Sequence, residues 1–187
     1  MLPGMKSCLR NGIVVLGILA SVGTVERATA QGGGKKTFKV SEFTFVRPDA
    51  WGWVQPRSLM RKAQLSVPGK EGGEKGEVVF FHFGPGNAGG TQANIDRWFR
   101  QFQEPKAQLN ARTETSKVGD TPISFVHAEG TYLSGPPVGR KIPKRNFALL
   151  GAIVEAEQGF VFIKFTGPKA VVSAAESDFK TMVASAK

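Results

Sequence analysis

The sequence is poor in the residues that usually announce chemistry. Its 187 residues include one cysteine, two histidines and one tyrosine. A single cysteine excludes any disulfide within the chain. Two histidines, His82 and His127, leave little material for a histidine-rich metal centre or a serine triad. No Gly-x-Ser-x-Gly elbow occurs after the first thirty residues. Acids are scarce as well, 15 Asp and Glu against 25 Lys and Arg, for a formal charge of +10. Most acids fall in turns (Glu71, Glu74) or on predicted helix surfaces (Asp96, Glu176, Asp178), so no carboxylate pair suggests glycoside chemistry. No apolar run is long enough to cross a bilayer: Ile13 to Val25 spans thirteen residues, against roughly 20 needed.

That short run reads as part of a leader. Lys6 and Arg10 precede it, and Ala28-Thr29-Ala30 follows as a small-x-small cleavage site. Residues 1–30 are therefore expected to be a cleaved signal peptide, sending the chain to the periplasm or outside the cell. No transmembrane span is expected after cleavage. Cys8 lies before the apolar run, the wrong side for lipidation. Removing the leader takes away Lys6, Arg10, Arg27, Glu26 and the only cysteine, leaving 157 residues at a net +8. A thiol-free chain suits an oxidising compartment. Residues 31–36, QGGGKK, read as a flexible polar segment. Residues 37–187 then form a single α/β domain.

Within that domain the hydrophobic pattern alternates between two periods. Thr37 to Val46 reads as a strand with Phe43 and Phe45 on one face. Leu59 to Val67 is a second strand, and Glu77 to Phe83 (EVVFFHF) a third, apolar on both faces and so expected inside the sheet. Thr91 is expected to cap a helix to about Gln103, where Ile95, Trp98, Phe99 and Phe102 make one apolar stripe. Strands follow over Ala111–Val118, Pro122–Leu133, Asn146–Ala156 and Gly159–Thr166, with a Pro/Gly-rich loop over Ser134–Lys144. From Gly167-Pro168 a last helix is expected to bury Val171, Val172, Ala175, Phe179, Met182 and Val183. Consecutive strands with short connections predict a mainly antiparallel sheet of about six to seven strands, with helices packed on its faces.

Two stretches carry a family resemblance. Phe43-Thr44-Phe45 followed by Pro48 and Trp51 is similar to the opening of the PsbP-type fold. FVFIKFTGP, Phe160 to Pro168, followed by a helix holding Phe179 and Met182, is similar to its last strand and C-terminal helix. More narrowly, the chain resembles small exported bacterial proteins of unknown function. Met60-Arg61-Lys62-Ala63-Gln64, Asn94-Ile95-Asp96-Arg97-Trp98 and Gly130-Thr131-Tyr132 carry that likeness. The resemblance implies a PsbP-like α/β sandwich. It implies no function, because a fold hosts many, and no metal-binding or partner-binding motif carries over.

Several features are candidates for function. Gly84-Pro85-Gly86-Asn87-Ala88-Gly89 spells GxGxxG between a strand and a helix, and Glu104 lies 20 residues past Gly84. Dinucleotide binding needs a parallel βαβ unit with the acid ending its second strand; here Glu104 ends the helix. The loop reads as a flexible helix entrance, at most a weak anion site. His82, His127 and Glu129 would suit a metal if their strands were neighbours. Trp51 and Trp53 alternate onto one side of an extended segment and are a possible ligand platform. The strongest positive feature is basic: Arg140, Lys141, Lys144 and Arg145 lie in one loop without an acid, and Arg57, Arg61 and Lys62 form a second cluster. Such patches attract an anionic envelope component or an acidic protein; no specific nucleic-acid site is expected.

The expected function is that of a non-catalytic exported envelope protein in a binding or accessory role, with no cofactor. One alternative is a small-ligand carrier with a pocket between sheet and helix. The other is a metal-dependent enzyme using His82, His127 and Glu129.

Overall fold

The computed structural model describes residues 36–136 and 138–187. The expected leader, and the polar segment up to residue 35, lie outside the described residues. The chain enters the described region as a small hairpin, β1 (Thr37–Val40) and β2 (Phe43–Val46). This corrects the single strand predicted over 37–46. Buried positions are Phe38 and Val40 in β1 but Phe43 and Phe45 in β2, so the alternation shifts phase across Ser41 and Glu42. Ser41 takes a left-handed φ of 54° to make the turn.

Seven strands form the main sheet: β3 (Gly52–Trp53), β4 (Arg61–Val67), β5 (Gly76–His82), β6 (Arg112–Val118), β7 (Thr121–Ser134), β8 (Ile142–Val154) and β9 (Val161–Pro168). Their order is β3-β4-β5-β9-β8-β7-β6, and every pairing is antiparallel. The sheet is two meanders, β3 to β5 and β6 to β9, joined where β5 meets β9. The double-sided apolar strand β5 lies inside the sheet, as its pattern predicts.

Each sheet face collects its own core. One face carries Leu65, Val78, Phe80, Ile163, Phe165, Leu150 and Ile123 under the β1–β2 hairpin and two C-terminal helices, α2 (Lys169–Ala174) and α3 (Glu176–Ala184). The predicted stripe from Val171 to Val183 is buried there, but the helix is broken at Ala175 (φ −103°, ψ 6°). The break lets Phe179 turn onto Phe165, 5.9 Å away between ring centroids.

The opposite face carries Val126, Leu149, Ile153 and Phe162 under a helix we call α1 (Thr91–Phe99). Ile95, Trp98 and Phe99 are buried on it as their spacing predicts, but the helix ends at Phe99 rather than near Gln103, and Phe102, also buried, bridges to Tyr132 of β7 instead. Thr91 does not cap it, which corrects that expectation: the Thr91 hydroxyl donates to Glu155 Oε1 at 2.5 Å, and Gly90 is the cap residue. Beyond α1 the chain runs extended along β7. Gln103 N donates to Thr131 O and Leu133 N to Gln101 O, while Glu104 accepts from Thr131 N at 2.8 Å. That is where Glu104 is used, far from any nucleotide geometry.

Candidate anion-binding surface

The hairpin of β7 and β8 is longer than the sequence suggests. β8 starts at Ile142, inside the predicted Ser134–Lys144 loop, so Lys144 and Arg145 are strand residues and only Arg140 and Lys141 belong to the turn. The β7–β8 register continues to Ser134↔Ile142, whereas β8 meets β9 only from Phe147 onward. The hairpin therefore projects past the end of β9 as a two-stranded arm. A bulge between Gly130 and Tyr132, with Asn146 at φ 55°, offsets the arm from the sheet.

The four cations of the arm are not equivalent. Lys144 reaches across the end of β9 to Glu74, in the turn before β5, at 2.9 Å. Lys141 donates to Pro136 O. Arg140 and Arg145 are exposed, and neither has an ion-pair partner among the described residues. Val138 and Ile142, also in the arm, are 89% and 57% exposed.

The second basic cluster lies at the other side of the same sheet face. Arg57 and Arg61 line an open depression of about 470 Å³ with Val54, Gln55, Ser58 and Gln64. Arg61 is held there: its Nη1 donates to Gln64 Oε1 (2.9 Å) and Glu77 Oε1 (2.8 Å), and Gln64 Nε2 donates to the same Glu77 oxygen at 2.8 Å. Lys62 is exposed and turned to Leu59 O.

Sequence reading missed the group between the clusters. Lys164, on β9, places Nζ 3.0 Å from Gln101 Oε1 and 3.2 Å from the Tyr132 hydroxyl. The Tyr132 hydroxyl in turn donates to Gln101 Oε1 at 2.9 Å. Burial pushes the Lys164 ammonium down to about 8; Glu77 opposes the shift, while Arg61 and Lys141 add to it. Burial pushes Tyr132 up to about 12, with Glu77 adding to it and Arg61 opposing. A lysine inside an apolar strand carries no local signal of this role, because the amine is covered by a segment 63 residues away.

The other candidates fall apart or serve packing. Trp51 is 2% exposed, its ring against Phe165 at 5.7 Å, so its faces are occupied by the core rather than open to a ligand. Trp53 is half-buried and packs on Phe38 at 5.5 Å. His82 does not meet His127 or Glu129. β9 and β8 stand between their strands, and the β7 residue in line with His82 is Ile123, four residues from His127. Three interstrand steps alone separate them by about 14 Å. His82 Nδ1 faces Phe160 O at 3.3 Å.

His127 and Glu129 do meet, Nε2 to Oε1 at 3.3 Å, and Lys169 closes on the other Glu129 oxygen at 2.5 Å. Partial burial of Glu129 works against its ionisation, but the Lys169 hydrogen bond and the His127 charge outweigh it and leave its pKa below the ordinary value. This is a neutralised structural pair. Among the described residues no three of His, Cys, Asp and Glu are grouped to hold a metal ion. The space lined by His127, Phe125, Glu176 and Lys180, between sheet and α3, is about 10 Å³, room for about one water molecule.

No protein-family model and no curated protein matches the chain. Solved structures do. Cyanobacterial PsbP (CyanoP) from Synechocystis aligns with a TM-score of 0.51 at 13% identity, covering 83% of this chain and 95% of that one. A Pseudomonas aeruginosa protein of unknown function aligns at 0.44 and 14% identity, covering 77% and 90%. The likeness to CyanoP shows the fold: a PsbP-like α/β sandwich with a seven-stranded antiparallel sheet between helices.

Proposed function

We propose that this is a non-catalytic exported protein of the cell envelope that binds an anionic partner through the β7–β8 arm. The carrying observation is the arm itself. Between Ile142 and Asn146, β8 has a partner on one side only, and the arm presents Arg140 and Arg145 without described counter-charges. Long-range attraction by the arm and the excess positive charge would steer the partner, and contact from Arg140, Lys141, Lys144 and Arg145 would hold it. The carrier alternative would need room between sheet and helix: the space beside His127 is about 10 Å³, and the larger depressions, about 240 and 580 Å³, are open clefts between the β1–β2 hairpin and α3.

The test is recovery of envelope material on the immobilised exported domain at low and high salt. Replacing the four cations by serine is expected to lower recovery and flatten its salt dependence. Unchanged recovery at both salts would end the reading.

A further inference from the structure

The two basic clusters, about eighty positions apart in sequence, are joined across one face of the sheet. Gln64, Val79, Lys164 and Gly151 lie in one row across β4, β5, β9 and β8. Arg61 and Gln64 meet Glu77 of β5. Lys164 is the next cation, on β9, and touches Tyr132 of β7. Tyr132 stands opposite Lys144 in register, and Lys144 reaches back over β9 to Glu74. These charged and polar side chains thus share one face along a path from the Arg57–Arg61 depression to the base of the arm, interrupted by the buried Val79, with Glu77 and Glu74 as the acids among them.

From β4 to β8 the path spans three interstrand steps, about 14 Å. Between its cations it offers Ser58, Gln64, Gln101 and Tyr132, which are hydroxyls and amides. It runs across a sheet face, where backbone N–H and C=O groups are already used in the ladders. An acidic peptide added to a sheet gains its affinity from a free strand edge; the free edge of β8, from Ile142 to Asn146, runs along the arm, whereas the path runs across the strands toward Arg57. A lipid surface is flat, whereas one end of the path is a depression of about 470 Å³.

Resting on the reading of the arm as an anion-binding element, we infer that the partner is an extended acidic polysaccharide lying across this face. Its carboxylates would engage Arg57 and Arg61 at one end and Lys141 and Lys144 at the other, and its hydroxyls the amide and hydroxyl side chains between, while Lys164 holds Gln101 and Tyr132 in place from beneath. The depression and the arm act as two linked subsites, so affinity depends on chain length.

The experiment measures binding of galacturonate oligosaccharides of increasing length to the exported domain, beside polyglutamate and anionic phosphatidylglycerol vesicles. Affinity is expected to rise with oligosaccharide length and then level off. Arg57→Ala and Lys141→Ala, both on the surface, are each expected to weaken the long oligosaccharide about tenfold, the scale of one charge-assisted hydrogen bond. Unchanged melting temperatures would confirm that both variants are folded. If the arm variants abolish binding while Arg57→Ala has no effect, the extended path is wrong and the arm reading stands. Binding to polyglutamate or vesicles without binding to galacturonate overturns the polysaccharide. No binding to any of the three probes removes both readings.

Discussion

The indole of Trp98 lies directly on the backbone of Gly151. A Cβ placed on Gly151 would fall inside the six-membered ring's contact shell, meeting Trp98 Cζ3, Cε3 and Cη2. This contact locks α1 to β8 and so fixes the segment after α1, which carries Gln101 over Lys164. Gly151→Ala is expected to lower stability by about 1–3 kcal/mol, the usual cost of overpacking a filled core. Urea unfolding measures it. A variant as stable as the parent would show that α1 is free to move off the sheet.

A second tight approach holds the GPGNAGG loop. Gly159 has φ +105°, and a Cβ there would come 2.6 Å from Gly84 O. Gly159→Ala combines backbone strain with that clash. Hydrogen exchange should show faster opening across residues 84–90 and at the start of α1. Unchanged protection there would mean the loop is held elsewhere, for example by Asn94, whose Nδ2 donates to Ala88 O and Gly90 O at 2.9 and 3.0 Å.

The Lys164–Tyr132 pair makes stability depend on pH with a definite sign. Lys164 moves from an ordinary 10.5 to about 8 on folding. Across that interval the unfolded chain binds a proton that the folded chain has released, so stability rises with pH. Tyr132 moves from 10.0 to about 12, so from about pH 10 the folded chain keeps a proton the unfolded chain loses, and stability falls. The expected profile climbs from about pH 8 and turns over near pH 10. Lys164→Met should remove the climb and keep the fall. Urea midpoints at a series of pH values read both limbs; a Met variant that still climbs would contradict the assignment.

Glu74 competes with any ligand for Lys144. Glu74→Ala breaks an exposed ion pair, for which a stability loss below about 1 kcal/mol is expected. It also frees a cation and removes an acid from the edge of the binding face. Affinity for an anionic probe should rise, with a steeper dependence on salt. Weaker or equal binding would place Lys144 outside the contact.

The periodic elements were legible because burial imposes their period. Ile95, Trp98 and Phe99 sit on one side of α1 for the reason that their spacing gives them one side, whereas Phe102, at the same spacing, lies past the helix end in a bridge to Tyr132. The alternation of Phe43 and Phe45 is read correctly within β2, yet the turn before it was missed. Ser41 is a common turn residue but Glu42 is not, and neither is the Gly or Asn that a left-handed φ favours, so the phase shift from Val40 to Phe43 is the clearest mark of the hairpin. Likewise the Pro/Gly content of 134–144 hid the first residues of β8, since an arm outside the sheet has no core face to impose alternation.

Composition alone determined that the chain is basic and nearly free of thiols and histidines, and the order of its residues that it is built of alternating strands with two amphipathic helical segments. Charge, residue identity and hydrophobic period are local properties, and they are written along the chain. Only the tertiary structure decided that β5 pairs with β9. That one non-local pairing keeps His82 away from His127, sets Lys164 beneath Gln101 and Tyr132, and brings the Arg57–Arg61 cluster onto the same face as the arm. Strand order depends on which apolar faces bury best together over the whole sheet, and no window of sequence contains that sum.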